Sequence, residues 1–179
     1  MNIGLIIGNV ASVLAAIAGS LSATRKTAKG MLFMQMVSQG IFLVAALALG
    51  GYSGAAQNVV GIVRNIVAMA GISFNGIQWV FAALVVVLGL ACNNLGLVGL
   101  LPIIGNFEFS LAVFRFKDNE RALKIAFMVM NSMFMVYDFF LKNYAGVTCT
   151  VVVLISAIIY LVRTKDSSKA AAETEAAAE

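Results

Sequence analysis

Ala55-Ala-Gln-Asn-Val-Val-Gly-Ile-Val-Arg-Asn-Ile-Val-Ala-Met-Ala-Gly71 is the stretch on which the fold turns. It is an apolar run approaching the roughly 20 residues of a membrane span. Yet it carries Gln57, Asn58, Arg64 and Asn65. On a helix at about 100° per residue, with Asn58 at zero, Asn65 falls at about −20° and Gly61 at about −60°. Gln57 falls at about −100° and Arg64 at about −120°. The polar groups and one glycine thus share about a third of the circumference, and Val59, Val60, Ile62, Val63, Ile66 and Val67 cover the rest. Such a stripe cannot face hydrocarbon, where each exposed polar group costs several kcal/mol. It must face protein or a water-filled cavity. The rest of the chain is then expected to be a bundle that houses this face.

The composition agrees. The chain has 179 residues, 61% hydrophobic and only 11% charged, against about 25% charged in a soluble domain. Working outward from the opening helix, apolar segments fall at about 3–22, 31–49, 55–71, 78–94, 97–116, 122–141 and 147–162. The expected fold class is an all-α membrane protein with seven transmembrane helices. Trp79 suits an interfacial anchor at the start of the fourth span. Met1-Asn2-Ile3-Gly4 lacks a basic leader and the first run is long for a signal core, so no removable leader is expected. Residues 1–163 read as the membrane domain. Residues 164–179 are rich in Ala, Glu and Lys and read as a cytoplasmic tail, disordered or loosely helical.

Loop charge sets the orientation. Arg25, Lys26 and Lys29, then Arg115, Lys117, Arg121 and Lys124, then Arg163, Lys165 and Lys169 place ten basic residues on one side. The second of these clusters also holds Asp118, Asn119 and Glu120. The opposite side has Lys142 alone. Basic loops stay cytoplasmic, so the N-terminus is expected outside and the C-terminus in the cytoplasm of an inner membrane. The net charge of +4 follows from these loops and is no nucleic-acid signature.

Ile6-Ile7-Gly8-Asn9 recurs as Ile103-Ile104-Gly105-Asn106. Gly51-Tyr52-Ser53-Gly54 recurs in outline as Asn143-Tyr144-Ala145-Gly146. The basic loops recur with them. The expectation is a 3+1+3 arrangement of two parallel triple-helix repeats, about 3–71 and 97–163, joined by a linker helix at about 78–94. Leu100-Leu101-Pro102-Ile103-Ile104-Gly105, the Gln57-Asn58 to Arg64-Asn65 helix and the chain length make the sequence similar to the YgjV-type bacterial inner-membrane proteins. That resemblance implies location rather than activity. The 3+1+3 layout more distantly resembles the SWEET and PQ-loop transporters, which pass sugars, amino acids or vitamin-like solutes through a pore between two triple-helix units. The chain departs from them in having one proline, Pro102, and no Pro-Gln pair. The implied transport is a fold-level analogy.

Arg64 is the sharpest candidate. It lies ten residues past Gly54, or about 15 Å, close to mid-membrane. It reads either as a pore-lining cation for a solute or as half of a structural ion pair. Glu108, deep in the fifth span, is the natural partner and reads as a fixed bridge or as a titrating group. Asp138 and Lys142 have the i, i+4 spacing of a helical pair marking the outer interface. Gln57, Asn58, Asn65, Asn9, Asn106 and Asn131, with Gln39, are amides able to ring a cavity or to join helices. Together Arg64, Glu108 and these amides form the candidate substrate site. Gly4-x-x-x-Gly8 permits a close helix contact within the bundle or in a homo-oligomer. A methionine cluster, Met128, Met130, Met133 and Met135, lacks histidine and a cysteine pair beside it, so no metal or cofactor is expected. Cys92 and Cys149 read as packed thiols, and nothing suggests an enzyme. The expected function is transport of a small polar solute. The alternative is a non-transporting partner or assembly protein with a closed Arg64–Glu108 bridge.

Overall fold

The computed structural model describes residues 3–117 and 119–176, with side chains through residue 163. It contains α1 (Ile3–Thr24), α2 (Ala28–Ala48), α3 (Tyr52–Met69), α4 (Ile77–Ala91), α5 (Leu100–Arg115), α6 (Glu120–Phe140) and α7 (Tyr144–Ala176). No strand occurs among the described residues. Each helix falls on one of the seven apolar segments. Asp118 of the second basic cluster lies outside the described residues. So do residues 177–179 and the side chains of the tail, whose backbone to Ala176 continues α7.

Four stretches are long and apolar enough to cross a membrane: α1, α2, α6 and Tyr144–Arg163 of α7. The other three helices have 18, 15 and 16 residues. At 1.5 Å per residue they reach about 22–27 Å, a little under the roughly 30 Å hydrocarbon core. The polar stripe explains why α3 is less apolar than the four.

The helix ends follow from local chemistry. Thr27 caps α2 by accepting from Gly30 N, and Asn119 caps α6 by accepting from Ala122 N. At its C-terminus α2 closes through Gly50, at φ +73°, and Gly51 N donates to Ala46 O. That is a left-handed closure, which glycine adopts at low cost. The end of α6 has the same hydrogen bond, Asn143 N to Asp138 O, but the left-handed residue is Lys142, at φ 59°. This corrects the expected Asp138–Lys142 pair. Lys142 lies past the last helical turn and is exposed, whereas Asp138 is buried.

Packing partners define a ring. In order around it, α1 packs on α2, α2 on α3, α3 on α5, α5 on α6, α6 on α7, and α7 back on α1. Outside the ring, α4 rests on α3 and α5. The exterior is oily, with Val87, Leu97, Ile104, Ile125 and Phe139 exposed, while the interior is rich in alanine, serine and carboxamides. That reverses a water-soluble protein and suits contact with lipid. Phe109, Phe127, Met130, Leu123 and Met31 form one apolar cluster inside. A second, built on Val60, Phe81, Val85 and Ile103, seals α4 against α3 and α5. A side-chain carbon added at Gly8 would strike Leu49 of the same chain, so the Gly4-x-x-x-Gly8 face is used at least partly within the bundle.

Candidate functional site

The stripe on α3 points inward. Gln57, Asn58, Gly61, Arg64 and Asn65 are all buried, and Val59, Val63 and Ile66 face out. Arg64 is 0% exposed. Its Nη1 donates to Asn106 Oδ1 at 2.9 Å and Ser110 Oγ at 3.1 Å, and its Nε donates to Asn65 Oδ1 at 3.2 Å. The guanidinium carbon lies 4.6 Å from the centre of the Phe109 ring. Neutral acceptors and an aromatic face therefore hold this cation in low dielectric.

Glu108 makes no hydrogen bond or ion pair with Arg64, although the two charges attract each other through space. Asn106 and Ser110 are one turn apart on α5, and Glu108, between them, falls about 160° round the helix. No ion pair joins Arg64 and Glu108. Arg64 Nη2 and Glu108 Oε2 are both buried without a hydrogen-bond partner. The closed bridge expected by the assembly-protein alternative is absent.

The network runs on in both directions. Asn106 Nδ2 donates to Gln57 O at 2.7 Å and to Gln57 Oε1 at 3.1 Å, and Gln57 Nε2 donates to Val85 O of α4 at 2.8 Å. Asn65 Nδ2 donates to Gln35 Oε1 at 3.0 Å and Gln39 Oε1 at 3.4 Å. One chain of polar groups thus links α4, α3, α5 and α2. Gly61 makes it feasible, because a side-chain carbon there would strike the Gln39 amide.

Gln35 and Gln39 form part of the wall of a cavity inside the ring, between α2, α3, α6 and α7. The polar lining also includes Ser38, Asn58, Asn131 and Asp138. The room for water-sized occupants is about 50 Å³, several times the roughly 10–15 Å³ that one water requires. From Phe127 to Asp138 the cavity follows α6 for eleven residues, or about 16 Å. It starts near the ring end where α6 stops and α7 begins, and reaches to middle depth.

The expected site residues therefore separate. Gln57, Arg64, Asn65 and Asn106 form the sealed network. Asn58 and Asn131 line the cavity; each also donates to a carbonyl one turn back, Gly54 O and Phe127 O respectively. Asn9 belongs to neither. Its Oδ1 accepts from Ala145 N at 3.0 Å, stitching α1 to the start of α7. Asn9 and Asn106 each lie six residues after the start of their helix, yet they do different work: Asn106 accepts from Arg64, and Asn9 accepts from a backbone amide of α7. Lys124, grouped with the loop cations from sequence, is 0% exposed inside α6. Its Nζ donates to Arg25 O at 2.8 Å and sits 3.1 Å over the Tyr160 ring.

Two residues passed over in the sequence are prominent. Asp138, read as an interface marker, lines the cavity at 8% exposure. Asn143 is buried and donates to Ser12 Oγ at 2.8 Å. Lys142 stands where the earlier helix pair has Gly50, and its left-handed backbone, which the sequence does not show, ends the helix there.

A family model described as bacterial inner membrane protein, Imp-YgjV, matches residues 6–168, nearly the whole helical bundle. The chain belongs to the Imp-YgjV family. With its apolar exterior and several span-length helices, this Imp-YgjV protein is a multi-pass inner-membrane protein in contact with the lipid bilayer. Comparison with curated proteins and with solved structures gives no match.

Proposed function

We propose that this protein moves a small polar solute across the inner membrane through the cavity between α2, α3, α6 and α7. The cavity carries the reading. Carboxamides, hydroxyls and a carboxylate line open space inside a ring of helices whose outer surface is oil. Polar side chains at membrane depth are tolerated where they pack in protein or line a water-filled route, and Gln39, Asn58, Asn131 and Asp138 line space. Arg64 acts beside that route. Through Asn65 it fixes the Gln35 and Gln39 wall.

The helix plan supports two parallel triple-helix units. α2 and α6 start 92 residues apart, at 28 and 120, and α3 and α7 also start 92 apart, at 52 and 144. The ring seams α1–α7 and α3–α5 are counterparts under the same relation. The charge pattern supports an external N-terminus and a cytoplasmic C-terminus. We read the protein as a carrier or facilitator and not as an enzyme, since the lining offers one carboxylate among amides.

Uptake into proteoliposomes across a solute panel tests the reading, comparing the native chain with Asn58→Leu and Arg64→Ala. The expected result is a solute whose flux falls at least tenfold in Asn58→Leu while the helical spectrum is kept. No solute entering faster than in protein-free vesicles would overturn it.

A further inference from the structure

We propose that the cavity selects a small organic cation, with the Asp138 carboxylate as its counter-ion and the rings beside it as its apolar seat. This names the solute class for the route proposed above and rests on that reading.

The argument begins with α6. Phe127, Asn131, Phe134 and Asp138 are spaced by four, three and four residues, so they fall on one stripe of the helix. All four line the cavity. Phe42 lines it from α2, and Tyr137, the neighbour of Asp138 in sequence, adds a fourth ring. A cavity whose wall combines a carboxylate with aromatic rings suits an ammonium group, because ring quadrupoles and the anion attract the same charge.

Among the described residues no lysine or arginine occupies that place. The lining contains neither lysine nor arginine. Lys142, closest in sequence, is exposed and set off the helix by its left-handed backbone. Arg64 is held by Asn65, Asn106 and Ser110 against Phe109. Lys124 is held by Arg25 O and Tyr160. Among the described residues Asp138 forms no ion pair; the Asn143 amide on the α7 side hydrogen-bonds to it as a neutral partner. A buried carboxylate without a counter-charge must take up a proton or a cation. The four rings favour the organic cation, since a proton alone has no use for them.

The neutral amides set the second requirement. Gln39, Asn58 and Asn131 offer carbonyl oxygens to N–H groups, so a primary or secondary amine is better matched than a fully alkylated one.

The test is equilibrium binding of radiolabelled methylammonium and choline to the purified full-length chain in detergent. Expected are saturable binding, at least tenfold weaker binding in Asp138→Asn, and affinity within threefold of native in Asp138→Glu. The uncharged choline isostere 3,3-dimethylbutan-1-ol should not compete. If Asp138→Asn does not fold, the isostere competition on the native chain and Asp138→Glu still decide. Absence of saturable cation binding, equal binding by Asp138→Asn, or competition by the isostere as strong as by choline would overturn the proposal. Flux in proteoliposomes separates the two readings. Cation binding that depends on Asp138 without flux leaves this inference standing and removes transport. Flux of an uncharged or anionic solute that is indifferent to Asp138 does the reverse.

Discussion

Replacing Asn106 with alanine tests whether Arg64 is held by amides or by Glu108. Asn106 is 1% exposed, so water has little access to what it leaves behind. The change removes the Oδ1 that accepts from the Arg64 guanidinium at 2.9 Å. A buried hydrogen bond to a charged group contributes about 1.5–3 kcal/mol. It also removes the amide that donates to Gln57 O and Oε1, neutral bonds of about 1 kcal/mol each. The expected loss is about 3–5 kcal/mol. Glu108→Gln should cost less than about 1 kcal/mol, because no ion pair is broken. The assay is reversible unfolding in mixed detergent and SDS micelles, followed by circular dichroism and by Trp79, the single tryptophan. A double-mutant cycle between Arg64→Met and Asn106→Ala should show coupling of about 1.5–3 kcal/mol, and one between Arg64→Met and Glu108→Gln a smaller value, from the through-space attraction alone. Should Glu108→Gln prove as damaging as Asn106→Ala, or should the coupling lie with Glu108, the account of the site fails.

Three further outcomes are expected. Gly61→Ala drives a methyl group into the Gln39 amide and should destabilise the fold by about 1–3 kcal/mol, read in the same unfolding assay; a cost below 0.5 kcal/mol, on the order of experimental error, would mean that the contact relaxes freely. Lys142→Gly relieves a left-handed lysine and should stabilise by about 1 kcal/mol, with no gain refuting the strain. In a chain freed of Cys92 and Cys149, a cysteine at position 142 should react with an impermeant maleimide on intact cells, and one at position 26 only after permeabilisation; the opposite labelling would invert the topology.

The seven helices were legible because hydrophobicity over some 20 residues is a long-range average that few local details disturb. The inward face of α3 was legible for the same reason that it exists: carboxamides and a guanidinium on one side of an oily helix have one tolerable direction. Pairing was harder. Glu108 was matched to Arg64 by depth and charge alone. A helical wheel of α5, setting Asn106 and Ser110 on one face and Glu108 nearly opposite, held the better answer. Asp138 was misread because the i, i+4 rule presumes that the helix continues, and it stops at Phe140. Lys124 gave no signal, since its partners are a backbone carbonyl and the ring of Tyr160, 36 residues away. The four-residue likeness of Asn9 and Asn106 gave no guide to their partners, a backbone amide for one and a guanidinium for the other.

The position of α4 makes the ring mechanically lopsided. Both seams are stitched by polar contacts, Asn9 and Ser12 with the start of α7 on one side and Arg64 with Asn106 on the other. Only the α3–α5 seam has a further helix clasped across it, sealed by Phe81 and Val85. Widening the interior at that seam would strip apolar side chains from α4 as well as break the stitches. Widening between α1 and α7 breaks the stitches and exposes surface that lipid tails can cover. The two edges are therefore held in different ways: α3 and α5 share a third helix as a brace, whereas α1 and α7 rely on their own direct packing.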